Sequence, residues 1–472
     1  MRKLLGFFLI LSLIFGLSAC TQPADPGETT SIADSWLQAG FSRVDITPDY
    51  TVGLAGSGNS STRRSKGILD YISMSCIALN DGEKTILVYT VDTLGVNMNM
   101  ANKMRAEVTT ATGIPGDHIF FGATHTHSAP DPLVKDTAGQ KYLNLLCTSA
   151  ANAGFLAVQD LAPARLQATT TEIKGMNFVR HYEMSDGSYA GPNFGTFEGL
   201  EIVDYAGEAD PQMVLIKLDR EDSKRDILMM NWQAHPNRSS ELGYYLISAD
   251  FVGAARSKLE EETGMHVAYF TGASGNVHID SMIESDQHGM KWKYYGEALA
   301  DFTLGAIPSL KDIGGTGINT TQNLYNAPID HSWDHMLAAA DEVYNVWQTE
   351  GKAQGDALGL TYDFTSVYQA RSIRERAKLG ETIKWEMNAF RVGNIGFTVG
   401  VYEMFSEAGA YVKANSPYDV TFVITGNLIY VPTSEAYGYR CYEADTGYFE
   451  KGTSEALAQE YIRMLESIQP TS

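Results

Sequence analysis

The chain has 472 residues, with 57 acidic and 35 basic side chains and a formal net charge of −22. That balance argues against nucleic-acid binding, which needs concentrated positive charge, and disfavours a strongly anionic partner. Four cysteines without a Cys-x-x-Cys pair fit neither a disulfide scaffold nor a cysteine-based zinc knuckle.

Arg2 and Lys3 open the chain, followed by an apolar run from Leu4 to Ala19 and then Cys20. A basic start, an apolar core and small residues before a cut describe a secretory signal, residues 1–19, rather than a spanning helix. Leu17-Ser18-Ala19-Cys20 resembles a bacterial lipobox, so Cys20 is expected to become a lipidated N-terminus. Residues 20–39, rich in Thr, Pro, Asp, Gly, Glu and Ser, read as a flexible tether. The expectation is an exported protein anchored by lipid at the outer face of a bacterial membrane. Residues 40–472 contain no linker-like break, internal repeat or further bilayer-length apolar run, and read as one large domain.

Within that domain, strand-like and helix-like stretches alternate. Thr85 to Val91 predicts a strand ending at Asp92, and Met98 to Thr110 has helical periodicity. Ile119 to Ala123 predicts a strand, and Gln140 to Leu161 a helix. Met213 to Leu218 and Ile227 to Trp232 read as paired strands across the charged turn Asp219–Arg225. Phe251 to Glu262 predicts a helix, and Val267 to Phe270 a strand opening into Gly272-Ala273-Ser274-Gly275-Asn276. Tyr294 to Leu304 and Met336 to Thr349 predict further helices. Ala389–Val392 and Ile395–Val399 form a hairpin about Gly393-Asn394, Val420 to Thr425 is a strand, and Ser454 to Ile468 a closing helix. Mixed order with interior hairpins predicts an α/β (α+β) layered domain with a mixed sheet.

Four places share one form, an apolar strand that ends in a metal-competent or polar side chain. The first is Thr124-His125-Thr126-His127-Ser128-Ala129-Pro130. In an extended segment, His125 and His127 would face the same side, and neutral imidazole is a common zinc ligand; a pair of polar loop histidines is the plainer alternative. His235 ends the strand that begins near Ile227, where a structural histidine is the alternative. Val399-Gly400-Val401-Tyr402-Glu403 delivers a carboxylate to a helix-like stretch, a place carboxylates favour anyway. Tyr430 follows Gly426-Asn427-Leu428-Ile429, with Tyr442-Glu443 twelve positions later.

Together, these segments resemble the neutral/alkaline (non-lysosomal) ceramidases, zinc-dependent amidohydrolases that cleave N-acyl sphingosines. The resemblance runs in order through most of residues 40–470. It begins at Phe41-Ser42-Arg43-Val44-Asp45-Ile46-Thr47-Pro48, similar to the family's Asp-Ile-Thr-Pro strand, and passes through Ala123-Thr124-His125-Thr126-His127-Ser128-Ala129-Pro130. Trp232-Gln233-Ala234-His235 is similar to its second zinc-histidine segment, and Tyr402-Glu403-Met404-Phe405-Ser406-Glu407-Ala408-Gly409 to its Gly-Glu segment. The resemblance implies a neutral ceramidase catalytic-domain fold with His125, His235, Glu403 and Tyr430 as zinc ligands. It also implies His127 beside the metal, Tyr442 facing the reacting carbonyl, and Arg180, in Asn177-Phe178-Val179-Arg180-His181-Tyr182, touching substrate.

One segment departs. The family carries Gly-Asp/Asn-x-Ser-Pro-Asn, with its serine close to the zinc; this chain reads Gly275-Asn276-Val277-His278-Ile279-Asp280. Either His278 stands in the serine's place, or a one-residue gap leaves Ser274 to serve. The sequence also ends at Ser472, short of the long C-terminal immunoglobulin-like domain of characterised ceramidases, so a divergent member is expected.

The chemistry that follows is amide cleavage by a zinc-activated water, with the proton for the leaving amine from His127, His278 or Tyr442 and an oxyanion donor in Tyr442 or Arg180. Asp92 and Asp250 are candidates to orient ligand imidazoles; a strand-end or helix-cap aspartate is the alternative for both, and the cap is the preferred reading for Asp250. The expected partner is a small amphipathic N-acyl substrate, ceramide-like or another N-acyl amide. The competing readings are a hydrolase of a different amide or ester, and an altered surface lipoprotein that binds an amphipathic ligand without turnover. Ser128-Ala129 breaks the His-x-His-x-Asp-His pattern of metallo-β-lactamases, and the hairpins do not suit an eight-fold barrel.

Overall fold

The structure, a computed structural model, describes residues 37–239, 243–279, 291–400, 402–426 and 429–470. The signal-like segment and Cys20 lie outside them, as does Asp280. Among the described residues, no helix is long and apolar enough to cross a membrane.

A nine-stranded mixed sheet runs in the spatial order His266–Thr271, Ile227–Trp232, Gln212–Arg220, Ala162–Glu172, Leu37–Asp45, Ser73–Asn80, Thr85–Val91 and Ile119–Ala123, with Lys311–Asp312 added to Ala162–Glu172. The central pairings are antiparallel, whereas the outermost pair at each end is parallel. A smaller sheet orders Ile318–Pro328, Thr382–Val392, Ile395–Gly400 and Val420–Ile424, again with a parallel last pair.

Each parallel pair is closed by a helix. Met98–Thr112 joins the 85–91 and 119–123 strands, Asp250–Thr263 the 227–232 and 266–271 strands, and Ser406–Asn415 the 395–400 and 420–424 strands. Parallel neighbours require such crossovers, and they bury both faces of the strand. That is why these strands read as unbroken apolar runs: 119–123, 227–232, 395–400 and 420–424 are buried at every position.

The two ends of the large sheet meet. Thr90 Oγ1 donates to the Tyr269 carbonyl at 2.5 Å, and Thr271 Oγ1 to the Thr124 carbonyl at 2.8 Å. The small sheet lies against this junction: Thr425 N donates to Thr271 O at 3.0 Å and Asn231 Nδ2 to Val423 O at 2.9 Å. Phe120, Phe270, Phe390, Phe397 and Phe422 interlock between the sheets, with ring centroids 4.4–5.4 Å apart. These three parallel pairs of the two larger sheets therefore point their C-terminal ends at one place, the usual position for a ligand in α/β architecture.

The predicted hairpin is present, with Val392 opposite Ile395. Gly393 takes φ 56°, and a Cβ there would sit 2.4 Å from the Gly315 carbonyl oxygen. The Lys352–Thr361 and Val367–Arg376 helices and the Ala162–Glu172 strand were not anticipated. That strand alternates burial along a polar sequence, and only its position between two apolar strands makes it one.

Candidate metal centre

His125 and His127 follow the Ile119–Ala123 strand, but not as an extended pair. His125 takes φ 65°, a left-handed conformation costly for a residue with a Cβ. It is held there because Thr124 N donates to Val91 O at 2.8 Å, His125 N to Thr93 O at 3.0 Å and His127 N to Pro236 O at 2.9 Å. Imidazole convergence therefore comes from a kink, not from strand alternation. The rings of His125, His127 and His235 lie 4.7–5.3 Å apart, centroid to centroid.

Each imidazole is aimed by a backbone carbonyl. His125 Nδ1 lies 2.7 Å from Leu94 O, His127 Nδ1 2.8 Å from Gly56 O, and His235 Nδ1 2.8 Å from Ser274 O and 3.1 Å from Val277 O. Carbonyls only accept, so each Nδ1 carries a hydrogen, and in the neutral ring Nε2 presents a lone pair. Burial holds the His127 and His235 imidazoles well below their usual pKa. Gly56 makes its close approach possible: a Cβ there would fall 2.5 Å from His127 Cα.

Glu403 arrives from the end of the 395–400 strand, its backbone N–H donating to Ile429 O at 2.9 Å. One carboxylate oxygen, Oε2, lies 3.4 Å from His125 Nε2 and 3.5 Å from His235 Nε2, while the two nitrogens are 3.2 Å apart. Glu403 Oε2 and His127 Nε2 are both buried without a hydrogen-bond partner. Lone-pair atoms crowded in this way repel one another unless a cation sits among them. Ligands about 2.0–2.1 Å from a tetrahedral zinc ion lie about 3.3 Å from each other, and these three separations bracket that value. The ligand atoms of His125, His127 and His235 all lie within 4.8 Å of one another. The donor set fits a divalent metal of the zinc type.

Tyr430 pairs in register with Glu403, and burial followed by the Glu403 charge pushes its phenol well above the ordinary range. Its ring packs edge-on against Tyr442, centroids 6.2 Å apart, and 5.5 Å from the Arg180 guanidinium carbon. His278 stands 5.7 Å from His235, ring to ring, and Arg180 Nη1 lies 3.1 Å from its Nε2. The eight side chains expected as ligands or reaction groups, His125, His127, Arg180, His235, His278, Glu403, Tyr430 and Tyr442, therefore lie within one connected cluster. Ser274 contributes its carbonyl to His235 rather than an anticipated hydroxyl contact.

Asp92 and Asp250 do not orient the imidazoles. Asp92 accepts two bonds from Arg256, at 2.9 and 2.6 Å, and Asp250 accepts the Ser239 and Phe251 backbone N–H groups at the start of its helix. Carbonyls of Gly56, Leu94, Ser274 and Val277 hold the rings instead, and a carbonyl leaves no trace in residue type. Glu443, which binds both Arg180 and His181, was also not singled out for a role.

Over residues 37–278, just over half of the chain, the sequence matches the family described as neutral/alkaline non-lysosomal ceramidase, N-terminal. Among solved structures, a neutral ceramidase from Pseudomonas aeruginosa superposes with a TM-score of 0.68 at 16% identity, covering 93% of this chain and 76% of that one. A ceramidase complexed with C2 superposes with a TM-score of 0.67 at 16% identity, covering 93% and 77%. No curated protein matches the sequence.

Proposed function

Because this chain belongs to the neutral/alkaline non-lysosomal ceramidase family, we propose that it is a zinc-dependent hydrolase that cleaves the amide bond of an N-acyl compound, ceramide-like or otherwise. The observation that carries this reading is the mutual spacing of His125 Nε2, His235 Nε2 and Glu403 Oε2, 3.2–3.5 Å, with both ring hydrogens committed to carbonyls. Tyr430 is the fourth ligand proposed.

A bound zinc ion supplies Lewis acidity, which acidifies a water near neutral pH and polarises the scissile carbonyl. The chain's own residues do the rest. His127 Nε2, buried and without a partner, takes a proton from the attacking water and returns it to the amine nitrogen as the C–N bond breaks, a contribution of about 10²–10⁴-fold. Arg180 and the Tyr442 hydroxyl are the proposed donors to the oxyanion. His278 accepts from Arg180 through Nε2, which makes it a part of that donor array rather than a copy of the family's serine.

We place the mature protein at a membrane surface through a lipidated Cys20, with residues 40–472 as the hydrolase domain. An amphipathic N-acyl substrate drawn from that surface fits such an anchor.

The alternative, a surface lipoprotein that binds without turnover, is favoured only by the replaced serine. Incubation with a panel of N-acyl amides, before and after chelation and zinc reloading, separates the two. Zinc-dependent release of free fatty acid excludes pure binding; full activity of a zinc-free protein defeats the metal mechanism.

A further inference from the structure

Arg180 and His181 are consecutive, yet both reach one carboxylate. The Arg180 backbone is tied to the anomalous turn: its N–H donates to Asn276 O at 2.9 Å, and the preceding Phe178–Val179 strand pairs with Val277–His278. Its side chain crosses to Glu443, on the Tyr442–Thr446 helix, donating through Nε at 2.7 Å, with Nη2 also in contact with the same oxygen. Nη2 donates further to Gly275 O at 2.8 Å. The other Glu443 oxygen lies 2.8 Å from His181 Nε2, and His181 Nδ1 lies 2.9 Å from the Tyr439 hydroxyl. Glu443 is 1% exposed and Arg180 6%.

His181, Cys441 and Glu443 offer ligand atoms within 4.8 Å of one another. A guanidinium already fills the cation's place, however, and both His181 nitrogens are engaged. The cluster is a charge network, not a second metal centre.

The remaining arm of Arg180 fixes a hydrogen elsewhere. A guanidinium has donors only, so at 3.1 Å His278 Nε2 must accept from Nη1. Asn237 Nδ2 approaches the same nitrogen at 3.2 Å. The neutral His278 ring therefore carries its hydrogen on Nδ1. A buried ion pair adds little net stability over an apolar substitute, but it can stop a guanidinium from swinging, and a reaction centre needs that rigidity.

We propose that Glu443 is the positioning residue of this site: it holds Arg180 in one orientation beside Tyr430 and, through Arg180, dictates which nitrogen of His278 bears the hydrogen. The inference rests on the hydrolase reading for its effect on rate, but not for its effect on His278.

The test is a double-mutant cycle of Glu443→Gln and Arg180→Ala, reading kcat and KM on an N-acyl amide, zinc content, and the His278 tautomer by nitrogen-15 NMR of the zinc-loaded protein. Glu443→Gln is expected to lower kcat about 10–100-fold, as loss of a supporting partner typically does, with KM little changed and zinc stoichiometric. The double variant should be no slower than Arg180→Ala alone. His278 should carry its hydrogen on Nδ1 in the wild type, and that preference should weaken in either single variant, where Asn237 Nδ2 is the donor left in place. Additive losses, an unaltered kcat, or a wild-type His278 with its hydrogen on Nε2 would each overturn the proposal. Should Glu443→Gln not fold, Glu443→Asp, one methylene shorter, carries the same cycle with a smaller loss. If the wild type cleaves no amide, the hydrolase reading falls, and the tautomer and its dependence on Glu443 still decide this inference.

Discussion

Among individual side chains, His125 combines a left-handed backbone with a place in the candidate metal cluster. Its left-handed backbone is sustained by hydrogen bonds to the end of the 85–91 strand and repaid only if the ring has something to hold. His125→Ala and Glu403→Gln are each expected to abolish stoichiometric zinc, read by metal analysis, together with activity; a variant retaining full zinc would remove that residue from the ligand set. Around the anomalous turn, His278→Ala should cost about 10–100-fold in kcat, as loss of a supporting partner typically does, and far more than Ser274→Ala. Ser274 serves His235 through its carbonyl, which alanine preserves. Equal, small losses would mean that neither side chain takes part in the chemistry. The candidate ligands were legible in the sequence because side-chain type announces metal chemistry; the carbonyls that aim them were not, because every residue has one.

Between elements, the site depends on holding two sheets in a fixed relation. Arg105, on the 98–112 helix, binds Glu386, on the 382–392 strand, through two bonds of 2.8 and 2.6 Å, both partners being buried. Burial pushes the Glu386 carboxyl up, but Arg105 outweighs it and leaves the group below the usual range. A depressed carboxyl contributes stability that is present above its unfolded pKa, about 4.3, and lost as pH falls through the lower folded value. Glu386→Ala should cost about 3–5 kcal/mol by stranding the guanidinium, and its denaturation midpoint should depend less on pH below about 4. A midpoint unchanged from wild type would show that the sheets do not rely on this pair. The apolar strands were readable because burial on both faces demands unbroken hydrophobic runs. The helices at 352–361 and 367–376 were missed because they pack mainly on the Leu337–Glu350 helix, around Val343, Phe364 and Ile373, with Gly355, Gly359, Gln369, Ser372 and Arg376 among their buried residues in place of a continuous apolar stripe.

At the scale of the whole molecule, zinc binding to the folded state alone should raise the melting temperature, and chelation should lower it, by the linkage that makes any native-state ligand stabilising. A melting temperature indifferent to both would argue against a cation at the His125–His235–Glu403 cluster. Cys20→Ser should move the protein from the membrane to the soluble fraction; persistence at the membrane would rule out lipid as the anchor. Residue types and their order were enough to determine the family, the mixed α/β class and a set of candidate metal ligands, because those properties are local or additive along the chain. Convergence was decided only by the tertiary structure. His125, His235 and Glu403 are separated by more than a hundred residues, and what brings them within 3.5 Å is the closing of one sheet upon itself with a second sheet laid across the seam. That event is set by the summed packing of buried phenylalanines and crossover helices, which no short segment encodes.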